Sequence, residues 1–181
     1  ELIEFGLDRY HSKYRPSILQ PTLFALYEKY NYEQVCQLLE WPQNEVPLNI
    51  GGYKYHRDTK TYPLFINYHK DEGIQDSIKY EDRFETPTLL KAISKNNRSF
   101  TSDDVTTAFD ADKLGVAMHL FMRKNKDDEE SKEFYYLGSI HSTGRENAEE
   151  IMMASDTKAV ELEYRLDIPV RDDIYDYLLN G

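Results

Sequence analysis

Apolar residues recur with one period at the start of the chain and with another after about residue 46. Upstream the spacing is helical. Leu2, Ile3 and Phe5 open an amphipathic stretch that Pro16-Ser17 interrupts. Pro21 suits the first turn of a second helix, with Leu23, Phe24, Leu26, Tyr27 and Tyr30 as its apolar face. Asn31 followed by Gln34 has the spacing of a capping box, which opens a third helix burying Val35, Leu38 and Leu39. Trp41-Pro42 stops it. Residues 1–42 are therefore expected to form a helical adaptor, and residues 43–181 the main domain.

From residue 46 the period shortens to two, the signature of strands. Val46, Leu48 and Ile50 alternate before Gly51-Gly52. Tyr53 to His56, a turn at Asp58-Thr59-Lys60, and a returning strand from Thr61 to His69 predict a hairpin. Lys70 to Gln75 reads as a polar loop, Ile78 to Phe84 as a short strand, and Thr88 to Ser94 as a short helix after Pro87. Ser102-Asp103-Asp104 caps another short helix running through Phe109. Further strands are predicted at 114–124, 134–141 and 159–168, with an exposed loop at 127–132. A closing helix at 172–179 carries Ile174, Tyr177 and Leu178 on one face. Helices first and five to seven strands after them make the class α+β, with a curved antiparallel sheet or open barrel as core and short flanking helices.

Composition constrains this picture. The chain has 181 residues, 22 Lys+Arg against 33 Asp+Glu, and a formal net charge of −11. No run approaches the roughly 20 apolar residues of a membrane span. The single cysteine, Cys36, excludes an internal disulfide framework and a paired-cysteine zinc site, and it is expected as a small buried hydrophobe. The chain begins with Glu1 rather than Met, so a piece of a longer protein is expected. An acidic total argues against a generic nucleic-acid binder, but the charge is unevenly spread. Residues 1–45 carry 4 basic and 7 acidic residues, residues 46–124 carry 12 and 11, and residues 125–181 carry 6 and 15. The central segment is thus slightly positive, and local field decides phosphate binding.

Catalytic patterns are missing from the sequence. The five histidines, His11, His56, His69, His119 and His141, make no HxxxH, HxH or HExxH spacing. No metal site and no cofactor is expected. No GxSxG, Walker A or Rossmann glycine pattern occurs. Asp103-Asp104 reads as a helix cap rather than a nuclease site. A binding domain, not an enzyme, is expected.

Two constellations point to recognition. In the predicted hairpin, Tyr53, Tyr55, Tyr62, Phe65 and Tyr68 interleave with Lys54, Arg57, Lys60 and Lys70. Rings stack on bases and cations hold phosphates, the basic logic of nucleic-acid reading. The bland alternative is an aromatic sheet core with lysines on its solvent face. The second constellation, Lys91, Ser94, Lys95, Asn96, Asn97 and Arg98, is polar and basic, suited to a phosphate or groove loop or to an ordinary turn.

Several segments occur in a familiar order: Gly51-Gly52-Tyr53, Phe65-Ile66-Asn67-Tyr68-His69-Lys70, Tyr80-Glu81-Asp82-Arg83-Phe84, Ile93-Ser94-Lys95-Asn96-Asn97-Arg98, His119-Leu120-Phe121-Met122-Arg123-Lys124 and Phe134-Tyr135-Tyr136-Leu137-Gly138. The series resembles the C-terminal domain of unknown function of bacterial proteins that join a phospholipase-D-type nuclease to a superfamily II helicase-like ATPase. Within that group it looks like the target-recognition domain of type IV restriction enzymes of the SauUSI kind. The resemblance implies an SRA-like curved sheet that flips a modified cytosine out of DNA and holds it between aromatic rings. It also implies a cytoplasmic protein whose partners are double-stranded DNA containing modified cytosine and the helicase and nuclease domains of the same polypeptide, with no membrane. The tyrosine-serine-leucine strand motif of better-known SRA proteins is not literally present, so pocket residues follow from chemistry alone. Tyr53, Tyr55, Tyr62, Phe65 and Tyr68 are candidate stacking rings, and Asn67 and Asp82 candidate acceptors for the cytosine amino group. The alternative is a protein-interaction domain that docks on the helicase or mediates dimerisation. A weaker rival is a stand-alone nuclease.

Overall fold

The computed structural model describes residues 23–42, 50, 52–68, 81–124, 132–153 and 155–180. In chain order these form β1 (Lys29–Tyr30), α1 (Tyr32–Leu38), β2 (Thr61–Asn67), β3 (Arg83–Thr86), β4 (Leu89–Ile93), α2 (Asp103–Phe109), α3 (Ala111–Leu114), β5 (Ala117–Arg123), β6 (Phe134–Ser142), β7 (Glu149–Met152), β8 (Lys158–Leu166) and α4 (Asp172–Asn180). One eight-stranded sheet runs β2-β5-β6-β8-β4-β3, with β1 on β6 and β7 on β8. The sheet is curved and unclosed, and the class is α+β as expected.

The curvature has a local cause in β6. The edge of this strand that faces away from β5 is shared between two partners. Phe134 and Tyr135 pair with β1, while Ile140 to Ser142 pair with β8. Between them the register against β5 slips by one residue, from Leu120↔Gly138 to Phe121↔Tyr136. Such a bulge bends a strand and re-aims its side chains. Gly138 sits there at φ +105°, a region unfavourable to any side chain, and an added Cβ would meet Leu26 at 3.3 Å.

Two apolar layers follow from strand alternation. On β2, Tyr62, Leu64 and Ile66 face one side, where they join Met118, Leu120 and Met122 of β5, Val160, Leu162 and Tyr164 of β8, and residues of α2, α3 and α4. Phe65 faces the other way. It packs with Phe121, Phe134 and Tyr136 under Phe24, Val35, Cys36, Leu39 and Trp41. The described part of the N-terminal segment thus covers the opposite face of the sheet.

The predicted hairpin exists, but its first arm is not a full strand. His56 and Thr61 exchange backbone hydrogen bonds, and Phe65 N–H donates to Gly52 O at 2.6 Å. Between these, the bridge register Tyr53↔Leu64 and His56↔Thr61 places Lys54 opposite Pro63. Proline has no N–H to give, so the ladder is broken at that pair. The other edge of β2 is unaffected. It pairs with β5 in parallel from Thr61↔Ala117 to Asn67↔Arg123, so the sheet is mixed rather than wholly antiparallel.

Other expectations need correction. Residues 23–30 form turns and β1 instead of a helix. Tyr27 adopts a positive φ of 65°, and its backbone N–H donates to Tyr136 O on the sheet. Strand pairing outcompetes helical propensity here. The α1 capping box forms as expected, with Gln34 N–H donating to Asn31 Oδ1 and Asn31 N–H to Gln34 Oε1, both at 2.9 Å. Leu38, expected inside, is exposed. Within 88–94, expected as a helix, Leu89–Ile93 form strand β4, with Leu90 and Ala92 inward. Ser102 precedes α2, but its hydroxyl caps nothing in that helix. It accepts the Ser99 N–H instead. Strand β7 was not anticipated. Residues 1–22, Val46, Leu48, Gly51, 69–80 (with Lys70 and His69) and the 127–131 loop lie outside the described residues.

Candidate nucleic-acid interface

The first arm of the hairpin and the loop after β4 bring two distant stretches together around Tyr53. Its hydroxyl donates to Asp104 Oδ2 at 2.9 Å and accepts the Lys95 backbone N–H at 3.0 Å. The Lys95 ammonium lies 4.8 Å above the Tyr53 ring and donates to Ile50 O at 2.9 Å. Below, the ring leans on Tyr62, 5.6 Å between centroids. Tyr62 in turn donates to the Asp104 backbone carbonyl at 3.2 Å. Burial raises the Tyr53 phenol above its ordinary range, so it stays a donor.

Asp104 is the hub of this arrangement. Arg98 Nε donates to the same Oδ2 at 2.6 Å, and Val105 N–H to Oδ1 at 3.1 Å. Burial works against the carboxylate's charge, but the hydrogen bonds from Arg98 and Tyr53 outweigh it and hold the group below the usual range. Conversely, burial lowers the Lys95 ammonium, and Arg98 and Lys54 beside it push the same way.

These residues line an open cleft of about 520 Å³. Tyr53 and Tyr55 supply rings, Lys54, Arg57, Lys95 and Arg98 supply positive charge, and α2 contributes Asp103 and Asp104. The Tyr55 ring is half-buried and sits 6.1 Å from Tyr62. Lys54 lies over Trp41 at 5.9 Å, and Trp41 is stacked on His56 at 5.0 Å. Deeper, between Tyr53, Tyr62, Ser94 and Tyr164, the enclosed space is about 10 Å³, room for one water at most. Anything as large as a nucleobase must occupy the outer cleft.

The two sequence constellations meet here, but only in part. Tyr53, Lys54, Tyr55, Arg57, Lys95 and Arg98 are brought together, with Tyr62 as floor. Asn96 and Asn97 turn beside them. Asn97 takes a positive φ of 59°, and its N–H reaches Lys158 O at 2.7 Å. Ser94 is buried, and its hydroxyl accepts the Val160 N–H at 2.8 Å.

Other candidates lie elsewhere. Phe65 is on the face covered by the N-terminal segment, stacked on Phe121 at 4.9 Å. Asn67 ends β2 and accepts from Arg123 Nε, away from the cleft. Tyr68 is buried beside Phe84, whose backbone N–H it accepts at 3.3 Å. Lys60 reaches Leu114 O at 3.3 Å. Lys91 points outward from β4 to Glu161 at 3.4 Å, a carboxylate that Arg83 also grips at 2.6 and 3.2 Å. Asp82 accepts the Ile93 N–H at 2.7 Å, and burial pushes its carboxyl up to about 6. Asp104 was the residue that sequence reasoning missed. Its position at the head of α2 suggested only a cap, and nothing local marks it as a partner of Tyr53. No group of three or more His, Cys, Asp or Glu among the described residues is placed to hold a metal ion, and no described helix is long and apolar enough to cross a membrane.

Solved structures of similar shape include KRYPTONITE in complex with mCHH DNA, an H3(1-15) peptide and SAH, with a TM-score of 0.52, 7% identity, and coverage of 94% of this chain and 39% of that one. Arabidopsis thaliana SUVH6 in complex with SAM gives a TM-score of 0.51, 10% identity, and coverage of 93% and 33%. The SUVH5 SRA domain with fully methylated CG DNA gives 0.48, 12%, and coverage of 81% and 90%. The chain therefore spans about two-fifths or less of the KRYPTONITE and SUVH6 chains. At such identities the likeness is one of fold. No curated protein matches the sequence. The model of one family, described as Domain of unknown function (DUF3427), matches residues 24–178, and the chain belongs to that family.

Proposed function

We propose that the chain recognises modified cytosine, 5-methylcytosine or 5-hydroxymethylcytosine, in double-stranded DNA by base flipping. It would act in the cytoplasm as the specificity domain of an ATP-dependent, modification-dependent restriction endonuclease in antiphage defence, with the helicase and nuclease domains on the same polypeptide. The domain itself only binds, and strand cleavage belongs to the other parts. The observation that carries this reading is the cleft. One mouth combines the half-buried ring of Tyr55, a carboxylate already engaged in hydrogen bonding, and four cationic side chains. Among structures of similar fold, KRYPTONITE was solved with mCHG DNA and with mCHH DNA, which supports the reading.

The chemistry suits the residues. Extruding a base costs a few kcal/mol, and stacking on an aromatic ring returns about 1–3 kcal/mol. Tyr55, half-buried at the mouth, offers the ring face, and Tyr53 forms the wall behind it. Asp104 is the acceptor for the cytosine amino group. Lys54, Arg57, Lys95 and Arg98 hold flanking phosphates. Among the described residues, no acidic side chain of the C-terminal third lines this mouth, and that acid limits non-specific attraction.

Band-shift titration with duplexes that differ only in the substituent at one cytosine C5 tests the reading. Tighter binding of the modified duplex is expected. Equal affinity for both, or none, overturns it and leaves the protein-coupling alternative.

A further inference from the structure

The Arg98–Asp104 pair poses a problem for any ligand of the cleft. The two side chains meet at 2.6 Å, and Asp104 also receives the Tyr53 hydroxyl and the Val105 N–H. An ionised carboxylate has about four acceptor sites; three are used here, and Oδ2 already takes both Arg98 and Tyr53. Arg98 is already neutralised and adds little net field at the mouth. Only its Nε is engaged with Asp104, but to meet a phosphate with its full charge it must release the carboxylate. That strands a half-buried carboxylate unless another donor takes its place, which is costly.

We infer that Arg98 is a conditional phosphate contact: a flipped base with an exocyclic amino group replaces Arg98 at Asp104, and Arg98 then turns to the DNA backbone. This rests on the cleft being the base site. Cytosine and its 5-substituted forms carry an N4 amino donor, whereas thymine carries an O4 acceptor with the same 5-methyl group. Thymine leaves the pair closed. Occupancy of the cleft by the right base is thereby coupled to backbone grip. Asp104 and Arg98 become determinants of specificity together rather than separate contacts.

The salt dependence of affinity reads this coupling, because each phosphate neutralised adds about 0.9 to the slope of log K against log salt. The probes are a duplex with one 5-methylcytosine and the same duplex with thymine at that position. Wild-type protein should show a slope steeper by about 0.9 on the 5-methylcytosine duplex, or about threefold more loss of affinity over a fourfold rise in salt. R98A should lower the slope on that duplex alone and make the two equal. D104N, which keeps an oxygen for Tyr53 but no charge for Arg98, should give the steep slope on both. Equal slopes for the wild type, or an R98A loss that is the same on both duplexes, overturns the inference while preference for modified cytosine stands. Absence of any modified-cytosine preference overturns the proposed function and this inference with it. R98A decides the matter alone if D104N fails to fold.

Discussion

The Tyr53 hydroxyl donates to the carboxylate of Asp104 across 51 residues of sequence, at 2.9 Å. This one contact joins the first arm of the hairpin to the head of α2 and defines a wall of the cleft. The hydroxyl also accepts the Lys95 N–H. Y53F therefore leaves the Lys95 N–H without its acceptor and removes one of the two donors at Asp104 Oδ2. We expect a loss of about 1–3 kcal/mol in stability, measured by urea unfolding, together with weaker discrimination of modified from unmodified duplex.

Two aromatic residues from the same hairpin should behave oppositely. Phe65 is enclosed by Phe121, Tyr32 and Phe134 on the face away from the cleft. F65A should cost about 3–5 kcal/mol in stability and leave the modified-duplex preference of the folded fraction intact. Tyr55, half-buried at the mouth, should give the reverse. Y55A should change unfolding little and cost about 1–3 kcal/mol in DNA affinity. A loss of preference in F65A, measured on folded protein, would move the base site.

Cations should separate by position rather than by charge. Lys54 and Arg57 line the cleft, whereas Lys91 is paired with Glu161 on the outward side of β4. Alanine at either cleft residue should weaken binding to all duplexes and flatten the salt slope by about 0.9. K91A should leave that slope unchanged.

The acidic side of the stability profile should carry the signature of Asp82. Its folded carboxyl sits at about 6, against an ordinary value of 3.8. The native state thus holds a proton that the unfolded chain releases, so stability falls as pH rises between about 4 and 6. Above that window the buried charge is a burden. D82N can still accept the Ile93 N–H and should stabilise the protein at pH 7 by about 1–3 kcal/mol. The gain should vanish near pH 4 in urea titrations across pH.

His141 works with the same sign through a different cause. Burial lowers its basicity, but its hydrogen bonds to Asp112 and Asp167 outweigh this and raise the group above 6.5. Its stabilising contribution is full below about 6.5 and is lost as pH rises through the raised value. Thermal unfolding of H141Q against wild type should differ most at pH 5–6 and converge above neutrality.

Much of this was legible in the residues. The Asn31/Gln34 capping box, the turn at 57–60, the buried strands at 117–123 and 134–142 and the closing helix are local patterns. They depend on near-neighbour geometry and on periods of two or 3.6 that the sequence displays directly. The aromatic and basic character of 53–57 and 95–98 was equally plain, and so was the concentration of acid in the last third.

What required the tertiary structure was the sorting of similar residues between two faces and two neighbourhoods. The period of a strand puts Tyr62 and Phe65 on opposite sides of β2, but does not say which side holds the cleft. The parallel pairing of β2 with β5, the shared edge of β6 and the bulge at Gly138 set that, and each rests on contacts between residues far apart in sequence. Residues 88–94 became a strand because β8 was there to pair with them, and residues 23–30 became turns because β6 took their backbone. Asp104 shows the same division most clearly. By itself it is an acidic residue in the first turn of a short helix. Only the fold sets Tyr53 and Arg98 against it, because hydrogen bonding and charge pairing act over about 3 Å in space, whatever the distance along the chain.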